Sequence, residues 1–415
     1  MSAPTLAQTT RVFARIGLLS FGGPAAQIAL MHRELVEKRP WMQEQQFLGA
    51  LSFCMLLPGP EAMQLATYAG WRFHGVKGGL IAGLLFVTPG ALIVLALAML
   101  YAGFGQVPFI DAMFLGVKAT VVVIVIEALL RVARKALSGK RHWLIAALSF
   151  IGIFLFALPF PIIIALAALL GLLTGGGGTS TSQPFTGKPP WRSLAIWLAA
   201  WWGPVGLLWL SGASFLTQIA MFFSKLAVVT FGGAYAVLAY MTQAAVNDKQ
   251  WLSTAQMMDG LGLAETTPGP LILVTEFVGF IAGVGAGGVW LGIAGALVAL
   301  WVTFIPCFLW IFTCAPYVEW ITSQPRFNSA LRAITAAVVG VILNLSVWFS
   351  LHVFFVDVRV VPYGPLQVLT PDFASVNGQV VALAFVAAVL ILRLHINLVL
   401  VLVSAALGGL ALSAL

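Results

Sequence analysis

The chain has 415 residues, of which 61% are hydrophobic and only 8% charged, and its formal net charge is +8. Soluble domains carry about 25% charged residues, so this polypeptide cannot cover itself with a water-facing surface. A soluble globular protein is excluded.

In chain order, the polar start Met1–Thr10 leads into a long first apolar stretch and does not read as a cleaved signal peptide. Spans near 11–31, 47–70, 79–104 and 108–130 make a first core. Residues 143–173 are broken by Pro159 and Pro161 and read as two short spans. Gly175 to Gly178 and the polar residues after them make 174–190 a flexible linker. A span at about 193–212 then enters a second core, 219–357, and two last spans, 377–393 and 394–414, close the chain. Solid apolar runs, rather than alternation, predict helices and not a barrel. The expected class is an all-α polytopic membrane protein of about 13 transmembrane segments.

Charge sets the orientation. Up to Lys188 there are 14 Lys/Arg against 6 Asp/Glu, and beyond it 7 against 7. Arg131, Arg134, Lys135, Lys140 and Arg141 carry most of the excess, so that loop is expected on the cytoplasmic side. Three crossings between the cores would insert the second one upside down. Glu127 and Arg131, four apart, read as a helix-end ion pair. The mixed-charge loop His32–Gln46 reads as a solvated connection, and Trp41 and Trp251 as interfacial anchors.

The two cores share a repeat. Aligned without gaps, 13–60 and 223–270 are identical at fourteen of 48 positions, where composition alone gives roughly four. Ser20-Phe21-Gly22-Gly23 recurs as Thr230-Phe231-Gly232-Gly233, and Pro58-Gly59-Pro60 as Pro268-Gly269-Pro270, each 210 residues on. Gly75 pairs with Gly285 at the same offset, while Pro89 with Pro306 and Pro108 with Pro325 are 217 apart. The domains expected are an N-terminal repeat, 1–173 with core 11–130, the linker 174–190, and a C-terminal repeat, 191–415 with core 219–357. Two related halves of inverted topology, interrupted at matching places, are the mark of a secondary transporter.

Both motifs break helices where the bilayer most demands them. Opened backbone frees N–H groups at the start of the next half-helix, with the positive dipole end behind them. Pro60 and Pro270 suit the first turn of such helices. Four N-termini converging near the midplane would favour a tetrahedral oxyanion. Arg15 and its mate Lys225 serve either as anion ligands or as snorkelling cations. Lys118, in mid-span, either neutralises an anion or pairs with a buried carboxylate. Glu61, Glu265 and Glu276 flank the Pro-Gly-Pro breaks and are the proton-coupling candidates, each with a structural role as the alternative. Cys54, Cys307 and Cys314 read as small core residues. The five histidines have no ligand spacing, so no metal or cofactor is expected, and no catalytic constellation points to an enzyme.

These residues resemble the chromate ion transporter family in its long, two-domain form. The resemblance rests on Ser20-Phe21-Gly22-Gly23-Pro24, on Leu57-Pro58-Gly59-Pro60 leading to Gln64, Tyr68, Gly70 and Gly75, and on Phe86-Val87-Thr88-Pro89-Gly90. In the second half it rests on the motifs at 230–233 and 268–271, on Phe277-Val278-Gly279 and on Phe304-Ile305-Pro306. It implies proton-motive export of chromate, a sulfate-like dianion, across the cytoplasmic membrane, giving chromate resistance. Ala234 in place of Pro24 and Val274 in place of Gln64 imply that the first half dominates anion binding. The expected substrate-binding set is therefore Arg15, Ser20, Gly22, Gly23, Pro58, Gly59, Pro60, Gln64, Lys118, Lys225, Thr230, Gly232, Gly233, Pro268, Gly269 and Pro270. The alternatives are a proton-coupled carrier of sulfate, or of another small anion or organic solute. The expected partners are the oxyanion and the bilayer, with a homodimer as a candidate assembly and no nucleic acid.

Overall fold

The computed structural model describes residues 4–21, 23–104, 107–175, 190–231, 234–318, 324–364 and 366–413. Helices dominate throughout. The linker reading at 174–190 falls almost entirely outside the described residues.

The first half runs α1 (Leu6–Leu19), α2 (Gly23–His32), a π turn (Arg33–Glu37), α3 (Glu44–Leu56), α4 (Glu61–Phe104), α5 (Pro108–Ala136), α6 (Lys140–Phe154) and α7 (Phe160–Thr174). The second runs α8 (Trp191–Leu210), α9 (Ser214–Val229), α10 (Ala234–Gln243), a π turn (Ala244–Asp248), α11 (Thr254–Thr266), a 3-10 turn (Leu271–Leu273), α12 (Val274–Gly287), α13 (Val289–Cys314) and α14 (Pro325–Phe354). A hairpin of β1 (Val358–Tyr363) and β2 (Leu366–Pro371) precedes α15 (Gly378–Ala388) and α16 (Leu398–Ser413). Five helices are long and apolar enough to cross a membrane among the described residues: Glu61–Phe104, Pro108–Ala136, Trp191–Leu210, Val289–Tyr317 and Pro325–Phe354.

Helix α1 stops at Leu19 and α9 at Val229, each just before its Gly-Gly motif. With 14 and 10 residues, α1 and α2 are about 21 and 15 Å long, each well short of the ~30 Å hydrocarbon layer. Helices α3 and α11 likewise end at Leu56 and Thr266, directly before the Pro-Gly-Pro triplets. The 44 residues of α4 are really two helices, hinged at His74 and at Gly75 with φ +59°. They fold back on each other, since a Cβ on Gly70 would strike the Gly78 carbonyl and one on Gly78 the Gly70 carbonyl. The corresponding hinge between α12 and α13 is Gly288, φ +90°, and Gly279 there packs on Gly295. Gly285, the mate expected from the 210 offset, lies inside α12. The offset has already grown to 213 at the hinge because part of the later insertion lengthens α12.

Contacts group the chain into two compact units. Unit 1 is Met1–Met99, Gly177–Ala234 and Thr267–Phe327; unit 2 is Leu100–Gly176, Tyr235–Thr266 and Asn328–Leu415. Each takes residues from both halves of the sequence, so the halves 1–173 and 191–415 and these units are different partitions of the chain. In unit 1, α1 buries Val12, Phe13, Ile16 and Gly17 along one stripe, and Gly17 lies against the Leu85 backbone of α4. Thr9 Oγ1 and His74 Nε2, 3.0 Å apart, fasten the same pair of helices. In unit 2, small residues bring backbones together reciprocally: Gly116 of α5 packs on Ala405 of α16, and Gly409 of α16 on Ala112 of α5. The β hairpin is absent from the sequence reading, which passes over 358–376. Its β2 strand is tied back by Gln367 N–H donating to Leu155 O at 2.8 Å.

Outside the spans, the first π turn closes with charge. His32 contacts Glu37 at 3.1 Å and Glu44 at 2.7 Å. The hydrogen bond to Glu44, then that to Glu37, raises the His32 pKa above its ordinary 6.5. Burial pushes the Glu34 carboxyl up, but Lys38 and Arg39 outweigh it and its pKa is lowered. Because the folded His32 pKa is raised, its stabilisation is complete below 6.5 and lost as pH rises through the folded value. The thermal midpoint of the protein should therefore fall between about pH 6 and pH 8 by more than that of His32→Gln. Gly279→Leu should cost about 1–3 kcal/mol by overpacking the α12–α13 hairpin, read as a lower midpoint in a thermal-shift assay.

Candidate functional site

The interruptions meet inside unit 1. Gly269 N–H donates to Ser20 O and Gly59 N–H donates to Thr230 O, both at 2.8 Å. Each proline triplet thus bonds the glycine break of the other half. The chemistry of the triplet requires this economy of donors. Proline carries no N–H, so the central glycine holds the one backbone donor of Pro58-Gly59-Pro60, and the same is true of Pro268-Gly269-Pro270. Their φ values of +121° and +95° need glycine. The acceptors, Ser20 O and Thr230 O, sit at the C-caps of α1 and α9, where helices leave carbonyls unpaired.

Around this crossing the first turns of α2 and α4 and the 3-10 turn at Leu271 converge. Pro24, Gln27, Pro60, Glu61, Pro270 and Leu271 line a cavity of only about 10 Å³, room for about one water. Orphan N–H groups and positive dipole ends at such first turns suit an anion, but the cavity is closed to a tetrahedral one in this conformation.

Two glutamines brace the crossing. Gln27 Nε2 donates to Gly269 O at 2.6 Å and to Ser20 O at 3.4 Å. Gln64 Nε2 donates to Pro58 O at 2.7 Å. The Oε1 atoms of both are buried without a hydrogen-bond partner. Positions 237 and 274, their mates in the second half, are valines that cannot donate.

The residues singled out from sequence fall into three groups. Pro60, Pro270 and Glu61 line the cavity. Gly23 opens α2 with φ +76°. Pro58 O takes the Gln64 bond, and the Pro268 backbone packs against Gly90. Ser20 and Thr230 are buried, but their hydroxyls donate backwards to Ile16 O and Leu226 O, leaving their carbonyls to the crossing. Gly22, Gly232 and Gly233 lie outside the described residues. Arg15 and Lys225 form a second group on the exposed sides of α1 and α9, and neither lines the cavity.

A third group pairs within the protein. Lys118 Nζ lies 2.9 Å from Asp259 Oδ1, with both side chains largely buried, and Tyr101 Oη donates to Asp259 Oδ2 at 2.7 Å. Glu265 accepts from Tyr235 Oη at 2.9 Å. Glu276 is 1% exposed, its Oε2 is unpartnered, and it borders an otherwise mostly apolar cavity of about 320 Å³ with Leu297, Trp301 and Phe304. Glu127 and Arg131 form the expected helix-end pair. Sequence reasoning missed Gln27, Tyr101, Tyr235 and Asp259. The signal for Asp259 was available: an acid inside an apolar helix needs a cation, and Lys118 was already in view.

The sequence model of the family described as "Chromate transporter" matches residues 7–172 and 217–410. A "Probable chromate transport protein" of Synechococcus elongatus is 31% identical over 346 residues, 82% of this chain and 83% of that one. The "Chromate transport protein" of Cupriavidus metallidurans is 30% identical over 348 residues, 81% of each chain. That of Pseudomonas aeruginosa is 32% identical over 340 residues, covering 80% and 77%. No solved structure matches the chain.

Removing one partner of the buried pair should expose its cost. Lys118→Met alone should lose about 3–5 kcal/mol by stranding Asp259, whereas Lys118→Met with Asp259→Leu should recover most of it. Thermal unfolding of the purified single and double variants checks this.

Proposed function

The chain belongs to the chromate transporter family, and from that premise we propose that it exports chromate across the cytoplasmic membrane, driven by the proton motive force, and so confers chromate resistance. The observation that carries the reading is the pair of reciprocal bonds from Gly59 N–H to Thr230 O and from Gly269 N–H to Ser20 O. Two inverted repeats would part at this crossing. Their separation frees both amides, and the first-turn N–H groups of α2 and α4 face the widened space. The oxyanion cradle comprises Ser20, Gly22, Gly23, Pro58, Gly59, Pro60 and Gln64, with Thr230, Gly232, Gly233, Pro268, Gly269 and Pro270 from the second repeat. Gln27 joins them, and the glutamines make the first repeat the stronger anion holder.

Three features bear on coupling and on orientation in the membrane. Glu61 sits on the cavity wall, where an arriving dianion meets its charge, so proton uptake there favours anion entry. Glu265 and Glu276 are the further coupling candidates. The basic loop from Arg131 to Arg141 marks the cytoplasmic side. Arg15 and Lys225, placed on exposed helix faces, act as interfacial anchors.

One observation favours a second reading. A carrier of organic solutes needs an apolar cavity, and the 320 Å³ space beside Glu276 is one. The two readings part on competition, since sulfate should inhibit chromate flux only in an oxyanion carrier.

In inverted vesicles, radiolabelled chromate uptake should rise with an imposed pH gradient and be inhibited by sulfate. Gly59→Ala and Gly269→Ala should abolish it while the protein still reaches the membrane, and Glu61→Gln should leave uptake insensitive to the gradient. Wild-type flux in both glycine variants would sink the cradle.

A further inference from the structure

Unit 2 contains a cavity of about 130 Å³ with mixed polar and apolar walls beside the β hairpin. Thr242, Asn344 and His352 lie deeper in its wall, while Asn247 and Gln367 are exposed at its rim. No Lys, Arg, Asp or Glu lines it. Helix α6 runs from the basic Lys140–Arg141 end to Ile153 and Phe154 at this cavity, so the pocket sits at the opposite end of α6 from the basic loop.

Its hydrogen-bonding groups are unspent. Thr242 is 2% exposed and its Oγ1 has no partner. Thr9, Thr67, Thr120, Thr217 and Thr335, also on helices, each donate to the carbonyl four residues back, while Thr303 and Thr313 of α13 share the unpartnered state of Thr242. The side-chain amides of Gln243, Asn247, Asn344 and Gln367 make no hydrogen bond among the described residues. His352 Nδ1 donates to Trp348 O at 2.8 Å, which leaves Nε2 for the cavity.

The first half shows these positions in a closed arrangement. Thr242, Gln243, Asn247 and Thr254 stand 210 residues after His32, Arg33, Glu37 and Glu44. Both stretches pass from an α-helix into a π turn, Arg33–Glu37 and Ala244–Asp248, a feature that often marks functional sites. In the first, His32 is bonded to both Glu37 and Glu44, and the polar groups satisfy one another. In the second, the carboxylates have become Asn247 and Thr254, the histidine a threonine, and a cavity opens among them.

We infer that this cavity is a second site for a small oxyanion, held by neutral amide and hydroxyl donors and lying on the side away from the basic loop. Each amide supplies two N–H donors and the threonines O–H. No carboxylate is left to repel the ligand, as Glu37 and Glu44 would in the first half. A charge-free wall binds loosely enough to let an anion go, which suits the exit of an exporter. The inference rests on the reading of the chain as an oxyanion carrier.

The test is equilibrium binding of radiolabelled sulfate to the purified full-length protein in nanodiscs. The wild type should show two classes of site. Thr242→Val with Asn344→Leu should weaken one class about tenfold or more per lost hydrogen bond to the charged ligand. Asn247→Glu with Thr254→Glu, which restores the first-half residues at the rim, should abolish the same class by repulsion. Both variants should keep the other class, which also certifies their folding. Wild-type stoichiometry and affinity in the Glu variant would overturn the inference, as would displacement of this sulfate by glycerol. A single class in the wild type, lost with Gln27→Leu, would overturn it while leaving the carrier reading intact. If the wild type binds neither sulfate nor chromate, the carrier reading falls as well.

Discussion

Backbone amides that leave a helix within lipid need partners, because hydrocarbon offers none. This chain breaks its helices at two glycine doublets and two proline triplets, and it meets the demand by crossing them. The lone N–H of each triplet goes to the C-cap carbonyl at the other break. Two chain segments some 210 residues apart in sequence are thereby locked together at the one place where both are weak. The glycine conformations, the short half-helices and the closed cavity all follow from that arrangement.

The crossing is symmetric in its backbone and asymmetric in its side chains. Gln27 and Gln64 reinforce it from the first half, where the second half offers valines. The π turns repeat in the backbone too, yet one is sealed by His32 with Glu37 and Glu44 and the other opens onto a cavity with mixed polar and apolar walls. The backbone recurs in the two halves, and a few polar positions make the two places structurally different.

Charge is handled sparingly. Lys118 is matched by Asp259, itself held by Tyr101, and Glu265 is held by Tyr235. The Lys118–Asp259 pair needs good geometry because removing two ions from water costs several kcal/mol each. Arg15 and Lys225, with exposed side chains, keep their charges at the periphery of their helices instead. Glu276 departs from this pattern, as a buried carboxyl with one unpartnered oxygen beside an apolar space.

Much was legible in the sequence. Composition gave the membrane class, solid apolar runs gave helices, and Gly-Gly and Pro-Gly-Pro gave the breaks, because these depend on local propensity and on what lipid forbids. The ion pair Glu127–Arg131 was readable for the same reason, as a contact one helical turn long. Tertiary structure alone decided which break bonds which, that Lys118 finds Asp259 across 141 positions, that the ends of Ser20 and Thr230 used are carbonyls rather than hydroxyls, and that Gly288 rather than Gly285 makes the second hinge. Those outcomes turn on distances between segments far apart in the chain, and periodicity along a single segment carries no information about them.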